Sequence, residues 1–287
     1  MIRIEISTKI EFNAIYFGLC LGKYEFACIN KTDEIVGLQR SIEDYGEANL
    51  GAVKEFFRYA RGITCDVYPF WPCAALLETA LFYMDGGVFD SVAYRTYVCG
   101  LTNITDEERN DEFFAWVEDF PTHLQTVLDD EFFQEINYKL DKIVGSLDVD
   151  SDVRRLTDSL AVIPAAVDKL NVLICPLKCC YSADYFTYGR EMSVLLGDYL
   201  PHSIIHEYMH IVVRPHIEAN RVWVLENCCD EEYGIDSSYY MDGGENGFLN
   251  AYEEAVVRHA ANEIANGKNV DIEELVKFGL VGGSRHG

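Results

Sequence analysis

Positive charge is scarce in this chain. Its 287 residues carry 23 Lys and Arg against 48 Asp and Glu, a formal net charge of −25, and no basic cluster interrupts the acidic excess. Such a surface repels a phosphate backbone or an anionic bilayer, so we expect neither nucleic acid nor a membrane as partner. Long apolar runs are missing too. Ala14 to Leu21 is too short and too poorly flanked to be the core of a signal peptide, and nothing is long enough to span a bilayer. The ten cysteines include the adjacent pairs Cys179-Cys180 and Cys228-Cys229 but no CxxC pairing of the zinc-ribbon kind. With no export signal they read as reduced thiols, and the expectation is a cytoplasmic protein. Neither GxSxG nor GxxxxGK[ST] occurs, which leaves serine-hydrolase and phosphate-loop chemistry without support, and no internal repeat or low-complexity tract is visible.

What is present is the pentapeptide His206-Glu207-Tyr208-Met209-His210, an HExxH motif. Histidines four residues apart on a helix point the same way and can close on one metal ion, with the intervening glutamate beside the metal's water. The flanks suit a buried helix: Ile204, Ile205 and Ile211 are apolar, and no Pro or Gly falls inside the motif. Pro201 fits a first helical turn and Pro215 is expected to end the helix, which places it over about Pro201 to Val213.

Around this motif the pattern predicts an α+β protein. Met1 to Ile6 alternates apolar and polar residues like a half-buried strand, and Ala14 to Leu21 also reads as a strand. Helices are predicted at Asn49 to Ala60, Pro72 to Met84, Glu107 to Glu118, Asp130 to Val144 and Arg154 to Leu170, the last kinked or split at Pro164. The acidic joint from Gly145 to Asp152 divides a helix-rich region, 1–147, from a second domain, 148–287. Its Asp148-x-Asp150-x-Asp152 run lacks the glycine and the final glutamate of a calcium loop and reads as a helix entry. In the second domain Asn171 to Pro176 and Met192 to Leu196 read as strands of a small sheet, with Tyr181 to Arg190 a loop between them. Helices follow at His216 to Glu226, Phe248 to Asn266 and Asp271 to Phe278, and a long acidic, glycine-rich loop spans Asn227 to Gly247.

A catalytic zinc site takes three protein ligands and leaves a fourth position to water, so one ligand is still to be found. His216 completes HExxHxxVxxH, which resembles the metzincin signature, with Met241 a loose match to that family's methionine turn. Val213 stands where metzincins have a turning glycine. Glu254, in Asn250-Ala-Tyr-Glu253-Glu254-Ala-Val-Val-Arg258, resembles the gluzincin pattern, in which a downstream helix presents a glutamate to the metal. More narrowly, HExxH followed by Val213-Arg214-Pro215 and a later Glu-x-x-x-Arg helix resembles largely uncharacterised bacterial HExxH families, over about the last hundred residues. That resemblance implies a zincin-like C-terminal domain, Glu254 as ligand with Glu253 in reserve, and Arg258 one turn on. Thiolates of Cys175, Cys179, Cys180, Cys228 or Cys229 are a third source of ligands, though small buried hydrophobes are the simpler reading.

The expectation is a Zn2+-dependent metallopeptidase. His206, His210 and Glu254 bind the metal, and Glu207 is the general base on metal-bound water. Tyr239, Tyr240, Arg258 and His259 compete to stabilise the oxyanion, and His202 tops the helix or lines the cleft. The aminopeptidase motif GAMEN is absent, which favours an endopeptidase or processing peptidase acting on a peptide or protein substrate. Two other readings stay open: a zinc-binding protein-interaction protein without turnover, and a helical interaction protein with an accidental HExxH.

Overall fold

The computed structural model describes residues 2–24, 32–59, 73–100, 107–180, 183–228 and 244–279. Strand β1 (Arg3–Ser7) leads into α1 (Ile10–Leu21), and α2 (Asp33–Ala48), α3 (Gly51–Tyr59) and α4 (Cys73–Ala80) follow. A two-stranded hairpin, β2 (Met84–Asp85) and β3 (Val88–Phe89), precedes α5 (Ser91–Gly100), α6 (Glu107–Val117), α7 (Phe120–Leu128), α8 (Glu131–Val144) and α9 (Val149–Leu160). Then come β4 (Lys169–Ile174), β5 (Asp184–Tyr188), β6 (Glu191–Leu196), α10 (Pro201–Ala219), α11 (Arg221–Asn227), α12 (Glu245–Ala265) and the short α13 (Ile272–Glu274). The protein is α+β, 66% helical, with a small mixed sheet. No described helix is long and apolar enough to cross a membrane.

The sheet runs β1-β4-β6-β5. β1, β4 and β6 are parallel, and β5 lies antiparallel on β6, joined to it through Gly189 at φ 58°. β1 thus brings the start of the chain into the sheet of the later half. Both faces are covered, so β4 and β6 read as almost continuous apolar runs. Leu170, Val172, Ile174, Met192, Val194 and Leu196 face one core, with α9, α10 and α12. Leu173, Leu195, Cys175 and Phe186 face the other, built from the earlier helices. The molecule is therefore layered, with the early helices on one side of the sheet and α10 and α12 on the other.

Four expectations are corrected here. Ala14 to Leu21 belongs to helix α1, not a strand: the segment is apolar all round and buried on every side, so it carries no period to read. Pro215 does not end α10, which continues to Ala219. A proline removes one bond and crowds one carbonyl, and an amphipathic helix held by packing on both sides outlasts that cost. The predicted helix from Arg154 to Leu170 divides differently: α9 starts at Val149 behind Asp148, whose side chain accepts from the Ser151 amide, and Lys169-Leu170 already belong to β4. Tyr181 to Arg190 contains β5, whose aromatic residues pair in register with Glu191 to Leu195.

Candidate metal centre

Helix α10 builds the site because its sequence carries two stripes. Ile204, Ile205, Tyr208, Met209, Val212, Val213 and Ile217 are buried against the sheet side. His202, His206, His210 and Arg214 recur every four residues on a neighbouring stripe, which faces α12. Among the described residues these two helices form the most extensively packed helix pair, and they run in opposite senses along a polar seam. At one end His202 Nε2 is 2.8 Å from Asn262 Oδ1; at the other Arg214 grips Glu253 with two bonds of 2.8 and 2.9 Å.

Between those ends the two HExxH histidines meet one carboxylate. His206 Nε2 lies 3.4 Å from Glu254 Oε1, and His210 Nε2 lies 3.4 Å from Glu254 Oε2. All three potential ligand atoms fall within 4.8 Å of one another, so the group could hold a metal ion. At 3.4 Å both contacts are longer than ordinary N–H···O hydrogen bonds, and each runs to a different oxygen of Glu254. The three side chains are only 12–15% exposed, enclosed yet open to solvent on one side.

Charge points the same way. Burial opposes a charged His210, but the carboxylates of Glu253 and Glu254 beside it outweigh that and lift the imidazole to about 9. Burial likewise works against the Glu254 carboxylate, yet His206 and His210 hold it well below the ordinary range. Glu253 is depressed for the same kind of reason, with His210 and Arg214 overriding its burial. The arrangement asks for positive charge between two imidazoles and a carboxylate, as a proton or as a cation.

Glu253 supports the site without belonging to the ligand triad. Its Oε1 is 2.7 Å from His210 Nδ1, the ring nitrogen away from the triad, and this fixes the tautomer that leaves Nε2 a lone pair. Tyr185 of β5 stacks on the other side of the same ring, centroids 5.7 Å apart and planes 12° apart. Arg258 donates through Nε to Glu254 Oε1 at 2.8 Å and so orients the carboxylate. His259 makes no bond to the triad among the described residues; its charge bears on Glu263 further along α12. His216 lies beyond the seam on the uninterrupted helix and is not in the ligand group. Tyr239, Tyr240 and Met241 fall outside the described residues. Cys175 and Cys179 are buried, and no disulfide occurs among the described residues.

Glu207 sits between the histidines. Its burial raises its carboxyl to about 8, helped by the carboxylates of Asp184 and Glu254 and opposed by His210 and Lys178. Lys178 and Asp184 belong to a buried network that sequence reading missed. The Lys178 ammonium donates to Tyr16 at 2.9 Å, to Glu78 Oε1 at 3.3 Å and to Asp184, while the Tyr16 hydroxyl donates to Glu78. Burial drives Glu78 to about 8, against the pull of Lys178, and its Oε2 has no hydrogen-bond partner among the described residues. Nothing in the run Cys175-Pro-Leu-Lys178-Cys marks that lysine as buried. A cavity of about 1110 Å3 lies elsewhere, lined by Ile10, Phe12, Phe82, Met84, Pro121 and Leu124 among others, and shares no residue with the triad.

No family model, no curated protein and no solved structure matches this chain.

Proposed function

We propose that this chain is a zinc-dependent peptide hydrolase of the zincin type, with His206, His210 and Glu254 as metal ligands and Glu207 as general base. In this reading β4, β6, β5, α10 and α12 form the zincin-like unit. The observation that carries the proposal is the convergence of both HExxH imidazoles on the two oxygens of Glu254, 48 and 44 positions along the chain, with one possible ligand atom from each residue within 4.8 Å of the others. The reaction class comes from the motif and its resemblance, and the chemistry of the side chains is compatible with it.

A zinc ion held by these three residues supplies Lewis acidity towards a carbonyl oxygen and brings the acidity of water into the neutral range. The chain's own groups do the rest. Glu253 and Tyr185 fix the plane and tautomer of His210, and Arg258 fixes the carboxylate of Glu254. Glu207, whose carboxyl lies at about 8, has the proton affinity of a base that works near neutral pH. It takes a proton from the attacking water at a carboxylate oxygen and returns it to the leaving amine.

The test compares wild type with Glu207→Gln, both loaded with zinc, against a mixed peptide library read by mass spectrometry. The proposal predicts cleavage by wild type and at least about a hundredfold loss in the variant at equal zinc content. Equal activity in both proteins, or none in zinc-loaded wild type, overturns it.

A further inference from the structure

Helix α10 runs on through Pro215, and that continuation puts Arg214 one turn past His210 on the stripe that faces α12. From there the guanidinium reaches Glu253 with two prongs. Nε donates to Oε2 at 2.9 Å and Nη2 donates to Oε1 at 2.8 Å. The same Oε1 stands 2.7 Å from Nδ1 of His210. Arg214, Glu253 and His210 thus form one chain of contacts that ends on a residue of the triad.

Tyr185 and Glu253 constrain the His210 ring in different ways. The stacked tyrosine holds the plane of the ring, but an imidazole given a half-turn about its Cβ–Cγ bond stacks equally well. Only the contact at Nδ1 distinguishes the two orientations, so everything depends on where Oε1 is held. The last torsion of a glutamate has no sharp wells, and a single bond to Nδ1 lets the carboxylate turn. A planar fork on both oxygens removes that freedom, because guanidinium and carboxylate must share a plane to make both bonds. The arginine side chain is 53% exposed and the glutamate 6%, so Arg214 grips from the solvent side a carboxylate that lies inside the seam. With Oε1 fixed opposite Nδ1, Nε2 is the nitrogen turned to Glu254 Oε2, 3.4 Å away.

We propose that Arg214 is a positioning residue of the metal centre, whose two-pronged hold on Glu253 fixes which nitrogen of His210 is turned to the ion. This rests on the metal-ligand part of the reading above. The working unit then extends four residues past the HExxH motif, and the passage of α10 through Pro215 keeps Arg214 in line with the two histidines.

Zinc affinity, measured by competition with a chromophoric chelator, tests the role. Arg214→Leu should bind zinc roughly tenfold more weakly than wild type. Arg214→Lys should recover only part of that loss, since an ammonium supplies the charge without the fork. Because the arginine acts through Glu253, Arg214→Leu should cost nothing further in a Glu253→Ala background, where independent effects would multiply. Nitrogen-15 NMR of the zinc-loaded proteins gives a second readout that a general loss of stability does not move. The His210 Nδ1–H signal, sheltered by Glu253 in wild type, should broaden by exchange with water in Arg214→Leu. Wild-type affinity in Arg214→Leu, an equal fold-loss in both backgrounds, or full affinity in Arg214→Lys overturns the positioning role alone. Should Arg214→Leu not fold, the affinity of Arg214→Lys decides by the same criterion. A wild type that takes up no zinc overturns the metal-centre reading, and this inference with it.

Discussion

Glu253 holds His210 by its far side: Oε1 lies 2.7 Å from Nδ1, while the next residue, Glu254, presents Oε2 3.4 Å from Nε2 of the same ring. Adjacent glutamates thus divide two tasks, one supporting the imidazole and the other facing both histidines in a group that could hold a metal ion. Replacing Glu253 by Ala should weaken zinc binding about 10- to 100-fold, the usual effect of losing a ligand's hydrogen-bonded support, while the stoichiometry at saturating metal is unchanged. Replacing Glu254 by Ala removes a ligand and should cost more. Competition against a chromophoric chelator measures both, and equal losses in the two variants contradict this division.

Metal binding should release protons. Without a cation the imidazole of His210 titrates at about 9, because Glu253 and Glu254 overcome its burial. A metal must displace that proton, so apparent affinity falls as pH drops below about 9, by up to about tenfold per unit. Calorimetry in buffers of different ionisation enthalpy, from pH 6 to 8, counts the protons directly. A pH-independent affinity over that range contradicts the charge state assigned to His210.

The buried network at Lys178 makes stability depend on pH. Glu78 moves from an ordinary value of 4.5 up to about 8 in the folded chain, chiefly by burial. The folded state then binds a proton that the unfolded state has lost. The stabilisation is complete below about 4.5 and is lost as pH rises to about 8, by at most about 1.4 kcal/mol per unit. Lys178 stays charged throughout, since its own shift is upward. Glu78→Gln keeps the shape and removes the titration, so its Tm should fall less than that of wild type between pH 5 and 8. Parallel curves for the two proteins contradict the account of Glu78.

The sequence named the three residues that the fold gathers, but not the groups that support them. HExxH and the Glu-x-x-x-Arg helix are local patterns, with spacing set by 3.6 residues per turn, and both survive in α10 and α12. Glu253 looked like a reserve ligand because helical geometry alone does not say which of two neighbouring carboxylates reaches which nitrogen of a histidine. Tyr185 and Lys178 were invisible for a different reason: their roles depend on β5 folding back on β6 and on α1 and α4 covering the sheet, and those are long-range contacts. The same long-range packing turned Ala14 to Leu21 into a helix and carried α10 through Pro215.

Gly197 tests the close packing beneath the site. A β-carbon there would meet the backbone carbonyl oxygens of Lys178 and Cys179, the latter at 2.8 Å, and neither can swing aside as a side chain could. Gly197→Ala should destabilise the fold by about 1–3 kcal/mol, seen as a lower denaturant midpoint. An unchanged midpoint means that the segment carrying Lys178 is looser than its contacts indicate.

The central claim is that two imidazoles and one distant carboxylate share a cation, and X-ray absorption on zinc-loaded protein tests it most directly. The account predicts one zinc per chain, with a first shell of nitrogen and oxygen only at about 2.0–2.1 Å, two imidazole scatterers among them, lost in the Glu254→Ala, His206→Ala double variant. A chain that binds no zinc, or a zinc with sulfur at about 2.3 Å, contradicts it.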